Sequence, residues 1–418
     1  MSTKNISKAK LINQVANFIG TINPVELVTA TNISSVKSTW VNNAVNGNYG
    51  NPQLEYDREL LEKTVSYAEP LRRLRKIVAN EPSSLINDLV IGRLDEALRS
   101  TELAAAILIH NDAEAKYHAT AIYGMPTSEQ VYQAYKLVRE EADDPLPPTV
   151  HHRGIINKAE REILETEIFY ANDIKYWFER VLDLYDIEGW RVEINPKYTA
   201  IDVRDKNSSG MPVIGIPFDS KKNGLQLICL VGHELECHLR GSENCRQLLL
   251  ELLGEDSPYL PLIPALAKSD NEYLYEGVAK VSDVRIGGDS QMPKPFATIA
   301  CDLAKLGCGF DVIASTLYNF IHNANPNKKK EDILKTTWGT TYRILRGSSN
   351  TGKGDYLFPK DYSYFCGYTE AKELSSSYHD FSSMKIEEIT KIAKTMDLVP
   401  RYKKLDAALW LKAQLLDQ

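Results

Sequence analysis

The sequence has no long apolar run: nothing in its 418 residues approaches the roughly 20 apolar residues of a membrane span, so no membrane partner is expected. The opening Met1–Lys10 is basic, but Leu11–Gly20 behind it is broken by polar residues and lacks the apolar core of a signal peptide. Cysteine is scarce and irregularly spaced, six in all, which excludes a disulfide framework and points to scattered thiols in a reducing, cytoplasmic compartment. Positive charge is in deficit, with a net charge of −7, and this argues against nucleic acid or an anionic lipid surface as a partner. Internal repeats and low-complexity runs are missing too. Histidine is rare, with eight in the chain, so any two at chelating distance stand out.

What is present is ordinary for a folded protein, with 43 % hydrophobic and 25 % charged residues and length enough for a large core. The order of patterns suggests three parts. Residues 1–55 form an N-terminal extension, either a docking arm or a tail, ending in the Asn- and Gly-rich loop Asn42–Pro52. Residues 56–145 read as successive helices, among them Leu85, Leu89, Ile91, Leu94 and Leu98 at helical spacing. Asp143–Val150, with three prolines, is a linker. Residues 146–418 begin with one long helix carrying Leu164, Ile168, Ala171, Ile174, Phe178, Val181 and Tyr185. Trp190–Ile194, Ala200–Arg204 and Pro212–Ile216 then alternate and are rich in β-branched residues, with turns at Asn195-Pro196 and Asn207–Gly210. Helices resume from Leu225, and about Ile386–Met396 and Asp406–Leu416 serve as C-terminal packing elements. The expected class is α+β, predominantly helical, with a small, mostly antiparallel sheet just before a His-Glu helix. That order suits a zincin-like metallopeptidase core, in which an extended substrate adds to the edge strand.

Val231-Gly-His-Glu-Leu-Glu-Cys-His-Leu-Arg240 carries the chemistry. His233 and His238 flank Glu234 almost as in zinc hydrolases, where two helical histidines hold the metal and the glutamate is general base. The spacing is five rather than four. On a straight α-helix that places the imidazoles about 140° apart, too far to share an ion. A π-bulge would absorb the extra residue; alternatively Cys237, at i+4, is the second ligand, although thiolate would weaken the Lewis acidity that hydrolysis needs. Glu276, in Tyr273–Asp283, is the candidate third ligand, and Asp283 a candidate to orient a histidine through its other ring nitrogen.

These residues resemble a known family. His233-Glu-Leu-Glu-Cys-His-Leu-Arg-Gly-Ser-Glu-Asn-Cys-Arg-Gln247 is similar to the His-Glu-x-x-x-His signature of the microtubule-associated tyrosine carboxypeptidases and their bacterial relatives. Glu276-Gly-Val-Ala279, Arg346-Gly347, Phe358-Pro-Lys-Asp-Tyr-Ser-Tyr-Phe-Cys-Gly367 and Ile122-Tyr-Gly-Met-Pro126 resemble further motifs of that family, in the same order along the chain. The chain departs from the pattern where His238 runs directly into Leu-Arg, at Val278 and at Tyr275. The resemblance implies a zinc metallopeptidase that removes a C-terminal residue, tyrosine in the tubulin-acting members, from a protein or peptide. It implies that His233, His238 and Glu276 bind zinc, that Glu234 activates water, and that the five-residue spacing belongs to the family.

Such an enzyme needs a donor for the developing oxyanion, for which Tyr364 and Tyr368 are candidates. It also needs a cation for the substrate carboxylate, from Arg240, Arg246, Arg346 or Lys360. Tyr364 and Phe365 offer an aromatic pocket wall or a piece of core. Two other readings stand beside the carboxypeptidase: an endopeptidase or amidase on the same scaffold, and a non-catalytic protein with a structural zinc, which would have no use for Glu234.

Overall fold

The computed structural model describes residues 7–143, 154–196, 198, 200–204, 212–267, 272–373 and 406–417. The architecture is α+β and predominantly helical, with two small sheets among the described residues. Among the described residues no helix is long and apolar enough to cross a membrane. The proline-rich stretch after Asp143, the turn at 207–210 and the helix expected over 386–396 lie outside the described residues.

The sequential reading sets boundaries near 55 and 145, whereas the packing groups the chain into two discontinuous compact units. The first comprises Met1–Thr21, Val150–Pro293 and Gly367–Gln418, and the second Ile22–Thr149 and Lys294–Cys366. Helix Tyr362–Glu373 is divided between them.

In the first unit, the long helix expected over 164–185 is two helices, Lys158–Thr166 and Ala171–Tyr185, separated by strand β1 (Ile168–Tyr170). The apolar spacing fits a helix, but Ile-Phe-Tyr is a strand-forming run. The chain turns extended at Glu167, and Asp173 restarts the helix by accepting from the Tyr170 amide at 2.9 Å. The face also changes, since Ile168 is exposed and Phe169 buried. Strands β2 (Arg191–Asn195), β3 (Asp202–Arg204), β4 (Val213–Pro217) and β5 (Lys221–Asn223) follow. β4 is central, parallel to β2 (Val192 opposite Ile214) and antiparallel to β3 (Val203 opposite Ile214). β1 and β5 form a separate antiparallel pair.

From Gly224 the chain is continuously helical to Leu253. Asn223 and Gln226 start it with a reciprocal capping box, and Gly254, at φ 69°, stops it. Phe178, Ile214, Leu227, Val231, Leu235 and Leu239 join one core cluster, which fixes the inner side of this rod.

The second unit is built from helices around a different core. Trp40, Phe310 and Trp338 meet with ring centroids 5.0–5.6 Å apart. Residues before position 55 are part of this packing. Trp40 is 4 % exposed, and its indole N–H is shared between the Tyr49 and Gly50 carbonyls.

Candidate metal centre

Residues Val231–Leu239, in the middle of the rod, form a π-helix nine residues long. Each amide in such a segment reaches the carbonyl five residues back, so position i+5 takes the place above i that i+4 holds in an α-helix. The five-residue spacing therefore brings His233 and His238 onto one side, with ring centroids 4.9 Å apart. The distortion anticipated as a single bulge extends over the whole motif. Tyr275 helps to hold it: its hydroxyl donates to the carbonyls of Cys237 at 2.8 Å and His238 at 3.0 Å.

The opposing wall is helix Glu272–Gly287. It comes close where the π-helix has a glycine: a Cβ on Gly232 would lie 2.4 Å from Ile286 Cδ1. Glu276, on this helix, faces both histidines, its Oε2 lying 3.7 Å from His233 Nε2 and 3.8 Å from His238 Nε2. These separations exceed hydrogen bonds. They lie slightly above the edges of a coordination polyhedron, since metal–ligand bonds of about 2.0–2.2 Å place tetrahedral ligand atoms roughly 3.3–3.6 Å apart. Among the described residues, His233, His238 and Glu276 form a group whose ligand atoms all lie within 4.8 Å of one another, and the triad can hold a metal ion. Cys237 is not in that group.

The surroundings of the triad are arranged in the same sense. His233 Nδ1 lies 3.0 Å from Asp283 Oδ2, which leaves Nε2 facing the triad. Lys280 donates to the same Asp283 oxygen at 2.7 Å. Glu234 is 9 % exposed, with Oε1 3.9 Å from His233 Nε2. Burial works against a charged His233, yet Asp283, the hydrogen bond to it, and Glu234 outweigh burial and raise its pKa to about 9. Burial pushes Glu234 up to about 8, helped by Glu276, Asp202 and Asp283 and opposed by His233. Protein groups alone thus favour protons on acidic and imidazole atoms that face one another. His233, His238 and Glu276 would hold a divalent cation through nitrogen and oxygen donors, and its positive charge would favour the deprotonated forms of these groups. The donor set fits a metal.

The other candidates divide between the two units. Arg240 is 1 % exposed, and its Nε donates to the Glu236 carbonyl at 2.9 Å within the rod. Arg246 grips Glu243 through two bonds of 2.8 and 2.6 Å. Tyr368 is buried in the first unit, with Lys372 Nζ 6.0 Å from its ring centre. Arg346, Lys360, Tyr364 and Phe365 belong to the second unit. There Arg346 is buried, 4.8 Å from the Phe358 ring centre and 3.6 Å from Asp361.

Lys280 and Glu236 went unnoticed in the sequence. Lys280 stands four residues after Glu276 and three before Asp283, a helical spacing that places all three on one side. Glu236 carries no such signal. Comparison with protein families, with curated proteins and with solved structures finds no match to this chain.

Proposed function

We propose that the protein is a zinc metallopeptidase of the tyrosine carboxypeptidase type, acting on a protein or peptide C-terminus. The carrying observation is the convergence of His233, His238 and Glu276 across the π-helix with Glu234 beside them. Two imidazoles and one carboxylate are a donor set that suits catalytic zinc and leaves a coordination position open. When bound, zinc supplies Lewis acidity and favours ionisation of water near neutral pH.

The protein residues divide the remaining work. Asp283 fixes the His233 ring, and Lys280 fixes Asp283. Glu234 lies within reach of a water at the triad; it takes the proton as that water attacks the scissile carbonyl and returns it to the leaving amine. A buried carboxylate so placed has no role in a purely structural zinc site, which favours a catalyst over a binding protein. The motifs at Ile122–Pro126, Arg346-Gly347 and Phe358–Gly367 support the family reading, and tubulin-like tails are one class of substrate to try.

The test combines zinc analysis with mass spectrometry of a peptide library varied at the C-terminus. One zinc per chain and loss of a single terminal residue is the expected result. Internal cuts would shift the reading to an endopeptidase, and no cleavage at full zinc occupancy would refute a peptidase. E234Q should keep its zinc and lose about 10²–10⁴-fold in kcat; unchanged kcat would remove Glu234 from its role.

A further inference from the structure

The back of the π-helix carries a second buried carboxylate that the proposed chemistry does not use. Glu236 lies between the two histidines in sequence and is 3 % exposed. Its Oε1 accepts from the Tyr185 hydroxyl at 2.8 Å, and the same oxygen accepts the backbone N–H of Ala407. Ala407 is the first residue of the C-terminal helix Ala407–Leu416. The carboxylate therefore sits on the N-terminal end of that helix, where the unpaired amides and the helix dipole favour negative charge.

Further contacts tie the same helix down within this unit. A Cβ on Gly232, the residue before His233, would come 3.8 Å from Ala408 Cβ, so the first turn of the helix lies against the start of the motif. Asp406 meets Arg285, on the helix that carries Glu276, at 3.4 Å. Lys412 is anchored to Glu160 at 2.8 Å and to the Ile155 carbonyl at 2.9 Å. The C-terminal helix thus touches the π-helix on both sides of His233 in sequence and the opposing helix as well. A buried carboxylate is costly unless its position matters or its partners are strong. An apolar residue at 236 would satisfy the core but would remove the hydrogen bonds that join this turn to Tyr185 and Ala407.

We propose that Glu236 is a positioning residue: by latching the C-terminal helix to the back of the π-helix it holds His233 and His238 at chelating distance, so docking of that helix and metal binding reinforce one another. The inference rests on the metal-site reading above. It makes a reciprocal demand, because a helix that strengthens metal binding must itself be held more tightly when metal is bound.

The experiment uses the full chain and zinc alone as probe. In the wild type, zinc should slow amide hydrogen exchange across Ala407–Leu416 and leave the helix Lys8–Thr21 of the same unit unchanged. E236Q keeps the accepting Oε1 and should bind zinc within about threefold of wild type. E236L removes the acceptor at similar volume and should bind about 10–100-fold more weakly, the range for residues that orient ligands. Its cobalt-loaded form should show shifted visible bands. Y185F, which removes one donor and leaves the helix contact, should fall between the two. A folded E236L with wild-type zinc affinity and cobalt bands overturns the proposal. If E236L does not fold, the wild-type exchange data decide: unchanged exchange at Ala407–Leu416 on full zinc loading overturns it. A wild type that takes up no zinc removes the metal reading and this inference together, whereas zinc uptake without coupling removes the inference alone.

Discussion

Thr337 and Thr341, in the second unit, are fully buried, and each hydroxyl donates at 2.9 Å to the carbonyl one turn back, Ile333 and Thr337 respectively. Both threonines thus find their partners on their own helix, Lys330–Leu345. The rod of the first unit buries charge. Glu234, Glu236, Arg240 and Glu243 lie within ten residues, each 9 % exposed or less. Other elements supply part of what holds them: Tyr185 and Ala407 for Glu236, and Trp190, beside Arg246 and Gln247 of the rod itself, for Glu243. Desolvating a charge is far more costly than burying a hydroxyl already bonded to its own helix. The difference separates polar groups that accompany packing from polar groups that packing was arranged to hold.

Substitutions at the metal centre should therefore act on chemistry and metal before they act on stability. The largest effect is expected from H238A, which removes a ligand. Purified protein should lose its stoichiometric zinc and its activity together, and retention of zinc would show that the triad is not the site. D283N comes next. It keeps the shape but weakens the group that orients His233 and pairs with Lys280, so zinc should bind about 10–100-fold more weakly. Competition with a chelator measures it. Affinity equal to wild type would place Asp283 among ordinary structural acids.

The same contrast decides what could be read in advance. His233, Glu234, His238 and Glu276 were legible because rare residue types stood at informative spacing, and Asp283 because it lies two turns from Glu276 on one helix face. The π-helix was legible only as a demand, since periodicity cannot show which backbone bonds form. Glu236 and Ala407 are 171 positions apart, and no local rule links them. β1 was misread because Leu164, Ile168, Ala171 and Ile174 satisfy a helical spacing that the Ile-Phe-Tyr run then breaks by pairing with Lys221–Asn223. Gly124 ends the helix Asp112–Tyr123 at φ 74°, a conformation that glycine adopts freely. Trp40 gave no sign that the extension would be part of a core, because its partners Phe310 and Trp338 lie far along the chain.

Glu243 sharpens the comparison away from the metal. Burial raises its pKa, but hydrogen bonds from Arg246, Trp190 and Gln247 outweigh burial and hold the carboxyl below its usual range. A depressed folded-state pKa contributes stability that is fully present above the unfolded value of about 4.3 and is lost as pH falls through the folded value. E243Q should therefore be less stable than wild type at neutral pH by about 1–2 kcal/mol, reduced because Arg246 is partly exposed. In urea titrations the gap should narrow below about pH 4. A gap independent of pH would mean that the carboxylate charge contributes nothing.

T341V is the smallest expected effect and the control on all the others. Valine matches threonine in shape, and the only bond lost is a hydroxyl donor to the Thr337 carbonyl. That carbonyl keeps its main-chain partner inside the helix Lys330–Leu345. No buried group is left unsatisfied, so the cost should stay within about 0.5–1 kcal/mol, with no change in zinc content. Urea midpoints and zinc analysis on the same preparation check both halves. If T341V were as damaging as E243Q, buried hydroxyls and buried charges would be doing equivalent work, and the separation between hydroxyls bonded within their own helix and charges held in the rod would fail.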